Sequence, residues 1–135
     1  MKRIIFITYC CKTKARLPED CKVSPAKLYM SSRIHTFIDY CDTRDYCWAI
    51  FSDKYGLVFK TDKIGWYDKA PDRVTPLEYN DLLLSTIHRL HSFDAVFFYY
   101  CDESFHPLYK HLVDDLKGYK EVKLFSSWEE LDAAN

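Results

Sequence analysis

Ala95-Val96-Phe97-Phe98-Tyr99-Tyr100 is an unbroken run of apolar and aromatic residues of strand-forming type. A strand with one wet face alternates polar with apolar residues, so a run without alternation must be covered on both sides, as in a parallel sheet packed between helices. Residues 3–9, 46–52 and 120–125 have the same character, which predicts four strands over these segments and residues 94–100. The intervening segments carry helical periodicity: Ile34, Phe37, Ile38 and Cys41 within 31–42, and Leu83, Ile87 and Leu90 within 76–91. Thr75-Pro76-Leu77-Glu78 reads as an N-cap followed by proline at the first helical position and glutamate at the third. Ser127-Trp128-Glu129-Glu130 repeats that logic for a short last helix, and residues 105–117 supply one more, with Gly118 placed to end it. The order β-α-β-loop-α-β-α-β-α predicts an α/β fold: a three-layer α/β/α sandwich around a mainly parallel sheet of about four strands. Strand order is not readable at this level. Residues 53–75 show little periodicity and read as a long connection, the kind that serves as a lid.

At 135 residues, with 48% hydrophobic and 17% aromatic residues, the chain is expected to form a single domain over 1–135 with a sizeable core. Nineteen basic and twenty acidic residues give a net charge of -1, so no global field draws the chain to nucleic acid or anionic lipid, and such binding would have to be local. The six cysteines contain no C-x-x-C pair, and Cys10 and Cys11 are adjacent, a poor spacing for two ligands of one metal. No metal and no cofactor is expected. Met1-Lys2-Arg3 leads into Ile4-Ile5-Phe6-Ile7, an apolar run too short for a signal peptide or a membrane span, so the expectation is a cytoplasmic chain with reduced thiols and no membrane partner.

In open α/β sheets ligands bind beyond the carboxyl ends of the strands, which directs attention to Thr8 to Lys14, Ser52 to Gly56, Cys101 to Ser104 and Ser126-Ser127. Lys12 and Lys14 flank a hydroxyl directly after a buried strand, where ammonium groups and free backbone donors suit a phosphate or carboxylate. The segment has no glycine and is neither a P-loop nor a dinucleotide fingerprint. Asp102-Glu103-Ser104 is either a general acid/base or a helix N-terminus with acids that complement the dipole. His106, beside this loop, is the histidine placed nearest the site. Cys10 or Cys11 is either a thiolate activated by the neighbouring lysines or a small packing residue. Trp66-Tyr67-Asp68, in the long connection, is hard to account for as core.

Four motifs follow one another in the first half of the chain: Cys11-Lys12-Thr13-Lys14, Pro25-Ala26-Lys27-Leu28-Tyr29-Met30-Ser31, Ser52-Asp53-Lys54-Tyr55-Gly56-Leu57 and Tyr67-Asp68. In this the chain resembles a family of small, largely uncharacterised bacterial, archaeal and phage proteins that carry C-x-K-x-K, a P-A…L-Y-x-S element, S-x-K-Y-G-L and Y-D in succession. That family looks distantly related to the peroxide-stress YaaA proteins and to domains found with archaeosine synthase. The resemblance implies nucleic-acid or modified-base biology. It implies ligand contact at Cys11, Lys12, Lys14, Tyr29, Ser31, Ser52, Lys54, Tyr55 and Tyr67, with Asp68 and Asp102 as carboxylates for acid/base or sugar-hydroxyl work. Asp53 stands where relatives are expected to carry alanine, so the resemblance assigns it no role.

Three readings follow from these residues. The first is an enzyme directed at a nucleotide, nucleobase or nucleic acid, N-glycosidase-like or base-modifying, in which lysines hold phosphate, tyrosines stack a base and a carboxylate stabilises a cationic sugar or activates water. The second is a non-catalytic module that binds a nucleotide or nucleic acid through the same groups. The third is a partner protein of a modification or stress-response assembly, suggested by abundant aromatics.

Overall fold

The structure is a computed structural model that describes residues 2–133. Its central sheet has five strands, β1 (Ile4–Tyr9), β3 (Cys47–Ser52), β4 (Gly56–Phe59), β6 (Ala95–Tyr99) and β7 (Glu121–Phe125). They lie in the order β4-β3-β1-β6-β7. β3, β1, β6 and β7 are parallel, and β4 returns antiparallel along β3 as an edge strand. A separate two-stranded ribbon pairs β2 (Lys22–Val23) with β5 (Ile64–Gly65). The helices are α1 (Pro25–Leu28), α2 (Ser32–Thr43), α3 (Pro76–Arg89), α4 (Pro107–Leu116) and α5 (Trp128–Ala133).

The mainly parallel sheet agrees with expectation, and the strand count does not. The connection over 53–75, expected to lack regular structure, holds β4, β5 and a 3-10 turn over Pro71–Arg73. Both strands are short and neither alternates cleanly. Their pairing partners, not their own pattern, make them strands.

Alternation along each strand splits its side chains between two apolar clusters. Phe6, Trp48, Ile50 and Tyr99 join Ile34, Phe37, Ile38 and Cys41 of α2 and Leu131 of α5. Ile5, Ile7, Tyr9, Ala49, Phe51, Val96 and Phe98 join Leu82 of α3 and Tyr109, Leu112, Val113 and Leu116 of α4. Burial on both faces is therefore what permits the unbroken run in β6, and each fully buried side chain of this size contributes about 1.5–3 kcal/mol. The capping box forms as the sequence predicts: Glu78 N donates to Thr75 Oγ1 at 3.1 Å, and Thr75 N donates to Glu78 Oε1 at 3.0 Å. No helix among the described residues is long and apolar enough to cross a membrane.

β1 has β3 on one side and β6 on the other. The chain therefore leaves β1 in one direction and returns in the other, which opens a crevice beyond the carboxyl end of β1.

Candidate functional site

A cavity of about 460 Å³ occupies that crevice. Tyr9 and Cys10 from the end of β1, Asp53 from the end of β3 and Ser104 from beyond β6 line it, with Tyr109 of α4 and Arg33 of α2. Cys11, Lys12, Lys14 and Ser31 complete one side, and Asp68, Lys69, Ala70 and Pro71 the other. Of the residues expected from sequence, the structure thus brings Cys11, Lys12, Lys14, Ser31 and Asp68 to one cavity.

Ser31 is also the N-cap of α2, accepting from Ile34 N at 3.2 Å. Cys11 Sγ donates to Thr13 O at 3.1 Å. The strip that carries the lysines is pinned to the strip that carries Tyr29, with Met30 N donating to Thr13 O at 2.9 Å and Ala15 N to Leu28 O at 2.7 Å. This bridge aims Lys14 inward, where its Nζ lies 4.3 Å from the centre of the Tyr67 ring.

Tyr29, Ser52 and Tyr67 are buried beneath the cavity and are bonded to one another. Ser52 Oγ accepts from Lys54 N at 3.1 Å and Tyr55 N at 3.0 Å, then donates to Tyr67 OH at 2.9 Å. Tyr67 OH pairs with Tyr29 OH at 2.7 Å. Burial pushes both phenols well above their usual range, so they stay protonated. The turn after β3 closes at Gly56, whose φ of +77° is a left-handed conformation that disfavours any side chain. Three of the four sequence motifs thus meet in one hydroxyl chain that holds the Ser52-to-Gly56 turn, and these three hydroxyls serve each other.

Lys54 and Tyr55 line a second cavity with Trp66. Asp102, exposed on a 3-10 turn over Asp102–Ser104, does not line the first; from that turn Ser104 does, its Oγ 2.8 Å from Tyr9 OH. His106 caps α4, its Nδ1 accepting from Leu108 N at 3.0 Å. Its Nε2 therefore carries the proton and donates to Asp72 Oδ1 at 2.6 Å. It ties α4 to the 71–73 turn and does not line the cavity.

Sequence reasoning left Asp53 without a role and missed Tyr109 and Arg33. Asp53 is only 3% exposed, and burial raises its carboxyl above the ordinary value of 3.8. Tyr109 OH donates to Asp53 Oδ1 at 2.8 Å and lies 3.6 Å from Cys10 Sγ. Burial also pushes the Cys10 thiol up to about 12, in keeping with the packing alternative for that position. Arg33 Nη1 donates to Thr8 Oγ1 at 2.7 Å, and its Nη2 to the carbonyls of Tyr9 at 2.9 Å and Cys10 at 3.1 Å. Its guanidinium sits 4.0 Å from the Tyr9 ring centre. A cation in the first turn of a helix opposes the helix dipole, and that misfit was the available signal for Arg33. Nothing local marks Tyr109, which reaches the site from the far end of the chain.

Lys69 is paired with Glu78 at 2.6 Å. Among the described residues, Lys12, Lys14 and Arg33 have no carboxylate within ion-pair distance. The cavity therefore offers three cations without an ion-pair partner, aromatic and apolar walls, a buried carboxyl, Asp53, and an exposed carboxyl, Asp68. The described residues contain no group of three or more His, Cys, Asp or Glu arranged to hold a metal ion. Comparison of the chain with protein-family models, curated proteins and solved structures gave no match.

Proposed function

We propose that this cavity binds a nucleotide and that the chain is an N-glycosidase-like or base-modifying enzyme. The observation that carries this reading is the convergence of Lys12, Lys14 and Arg33, none paired with a carboxylate, on a crevice that also holds the buried carboxyl of Asp53. Cations without an ion-pair partner favour an anionic ligand such as phosphate, and Ala70 and Pro71 add an apolar wall. The layered arrangement proposed here has helices on both faces of the sheet, α2 and α5 on one and α3 and α4 on the other.

Two carboxyls in unlike surroundings suit acid and base roles. Asp53, whose carboxyl burial raises above its ordinary value, is the proposed acid, and Asp68 at the rim the proposed base. For cleavage of an N-glycosidic bond, the electron pair of the breaking C–N bond leaves with the base, which takes a proton from Asp53. Water adds to the sugar carbon and loses its proton to Asp68. Asp102 is kept outside this scheme because its side chain is exposed away from the cavity.

A non-catalytic binding module is the second reading. It is favoured by the way Tyr29, Ser52 and Tyr67 spend their hydroxyls on one another, which makes them a scaffold and not reacting groups.

The test is a thermal-shift screen of nucleosides, nucleotides, free bases and short DNA and RNA, followed by chromatography for released base. The expected result is a stabilisation by phosphate-bearing ligands that Lys12→Ala removes, and base release that Asp53→Asn abolishes. Stabilisation without any chemical change of any ligand would select the binding module; no stabilisation would remove both readings.

A further inference from the structure

Beside the first cavity lies a groove of about 550 Å³, lined by Arg16, Lys22, Lys54, Tyr55, Gly65 and Trp66. Three stretches of chain cross from one cavity to the other: Lys14 to Arg16, Asp53 to Tyr55 and Trp66 to Asp68. The Tyr67 ring, edge-on to Tyr55 at 5.4 Å and under Lys14, forms the partition between them.

The groove has two aromatic rings at its surface, Trp66 at 37% and Tyr55 at 36% exposure. Each carries a cation over its face: Arg16 lies 4.4 Å from the Trp66 ring centre, and Lys54 Nζ 5.2 Å from that of Tyr55. Among the described residues none of Arg16, Lys22 and Lys54 meets a carboxylate at ion-pair distance. Glu19 and Asp20 also line the groove, on the turn before β2. Counting both cavities, seven cations face four acids, against a chain that is close to neutral as a whole.

Exposed aromatics interleaved with cations form the kind of surface on which successive bases stack while the backbone is neutralised alongside. We infer that the groove is a track for single-stranded nucleic acid that continues from the first cavity, so that the ligand of that cavity is a nucleotide within a strand. This rests on the reading of the first cavity as a nucleotide site. Trp66 stacks a neighbouring base, and Arg16, Lys22 and Lys54 contact phosphates. A duplex does not fit this role, because its bases are already stacked on one another.

The experiment is a titration of the full chain with ten-nucleotide single-stranded DNA and RNA, the corresponding duplexes and a mononucleotide. The readouts are oligonucleotide anisotropy and tryptophan fluorescence. Trp66 is the most exposed tryptophan, Trp48 being buried and Trp128 half-buried, so stacking there quenches emission. The single strand is expected to bind more tightly than the mononucleotide. Trp66→Ala is expected to weaken it roughly tenfold and to remove the quench. Arg16→Ala is expected to reduce the slope of log affinity against log salt by about 0.7, the contribution of one phosphate contact to a single strand. Both variants should keep the wild-type circular dichroism and mononucleotide affinity, and Arg16, on the surface, keeps the test valid if Trp66→Ala does not fold. Mononucleotide binding that depends on Lys12 with no gain from the strand, a gain that survives both variants, or equal binding of duplex would overturn the track and leave the first cavity standing. Binding of neither mononucleotide nor strand would overturn both.

Discussion

Tyr67→Phe removes one oxygen from the hydroxyl chain and leaves the ring in place. No cavity forms, so the cost is confined to hydrogen bonding. Tyr67 OH loses its contact with Ser52 Oγ at 2.9 Å and with Tyr29 OH at 2.7 Å, and both partners are fully buried. Orphaning a buried hydroxyl costs about 1–3 kcal/mol. Ser52 retains the amides of Lys54 and Tyr55 as donors, so its share lies at the low end, and the total is about 2–4 kcal/mol by the same reckoning. Tyr29→Phe removes one of the two partners of Tyr67 OH, leaving Ser52 Oγ, and should cost about 1–2 kcal/mol. In the double variant the Tyr29 hydroxyl is no longer present to be orphaned. Its destabilisation should therefore fall short of the sum of the singles by about 1 kcal/mol or more. Urea denaturation of the four proteins measures all three quantities, provided the m-values agree. Additivity within about 0.5 kcal/mol would refute the hydroxyl chain as a coupled unit.

Asp53→Asn should change the pH dependence of stability. The folded carboxyl sits above its ordinary value of 3.8 because it is buried, so the folded state binds more protons than the unfolded chain over the interval above that value. Wild-type stability therefore declines as pH rises through that interval, while the asparagine variant, still able to accept from Tyr109, lacks the decline. Stability measured from pH 3 upward should show the variant gaining on the wild type, and parallel profiles would refute the assignment. Thr75→Ala should cost about 1 kcal/mol by removing the N-cap of α3, measured by thermal or urea unfolding, and an unchanged midpoint would mean that the cap is redundant.

What the sequence alone determined is what local chemistry controls. The apolar run in β6 required cover on both faces, the Thr75 box marked the start of α3, and polar residues after β1 and β3 pointed to the end of the sheet where the cavity lies. Cys11, Lys12, Lys14, Ser31 and Asp68 were legible for that reason: they follow strands or lie in motifs that can be read along the chain. The tertiary structure decided the rest. β4 and β5 exist because β3 and β2 accept them as partners, and no pattern within Gly56–Phe59 or Ile64–Gly65 announces them. Strand order placed β1 between β3 and β6, which set the crevice over Tyr9. Asp53 is buried where the fold brings it under Tyr109, 56 residues away, which donates to it. Arg33 became a wall of the cavity only because α2 lies where its guanidinium reaches the last carbonyls of β1. Burial and pairing depend on residues distant in sequence, and they decide which carboxyls, hydroxyls and cations are spent on the fold and which remain for a ligand.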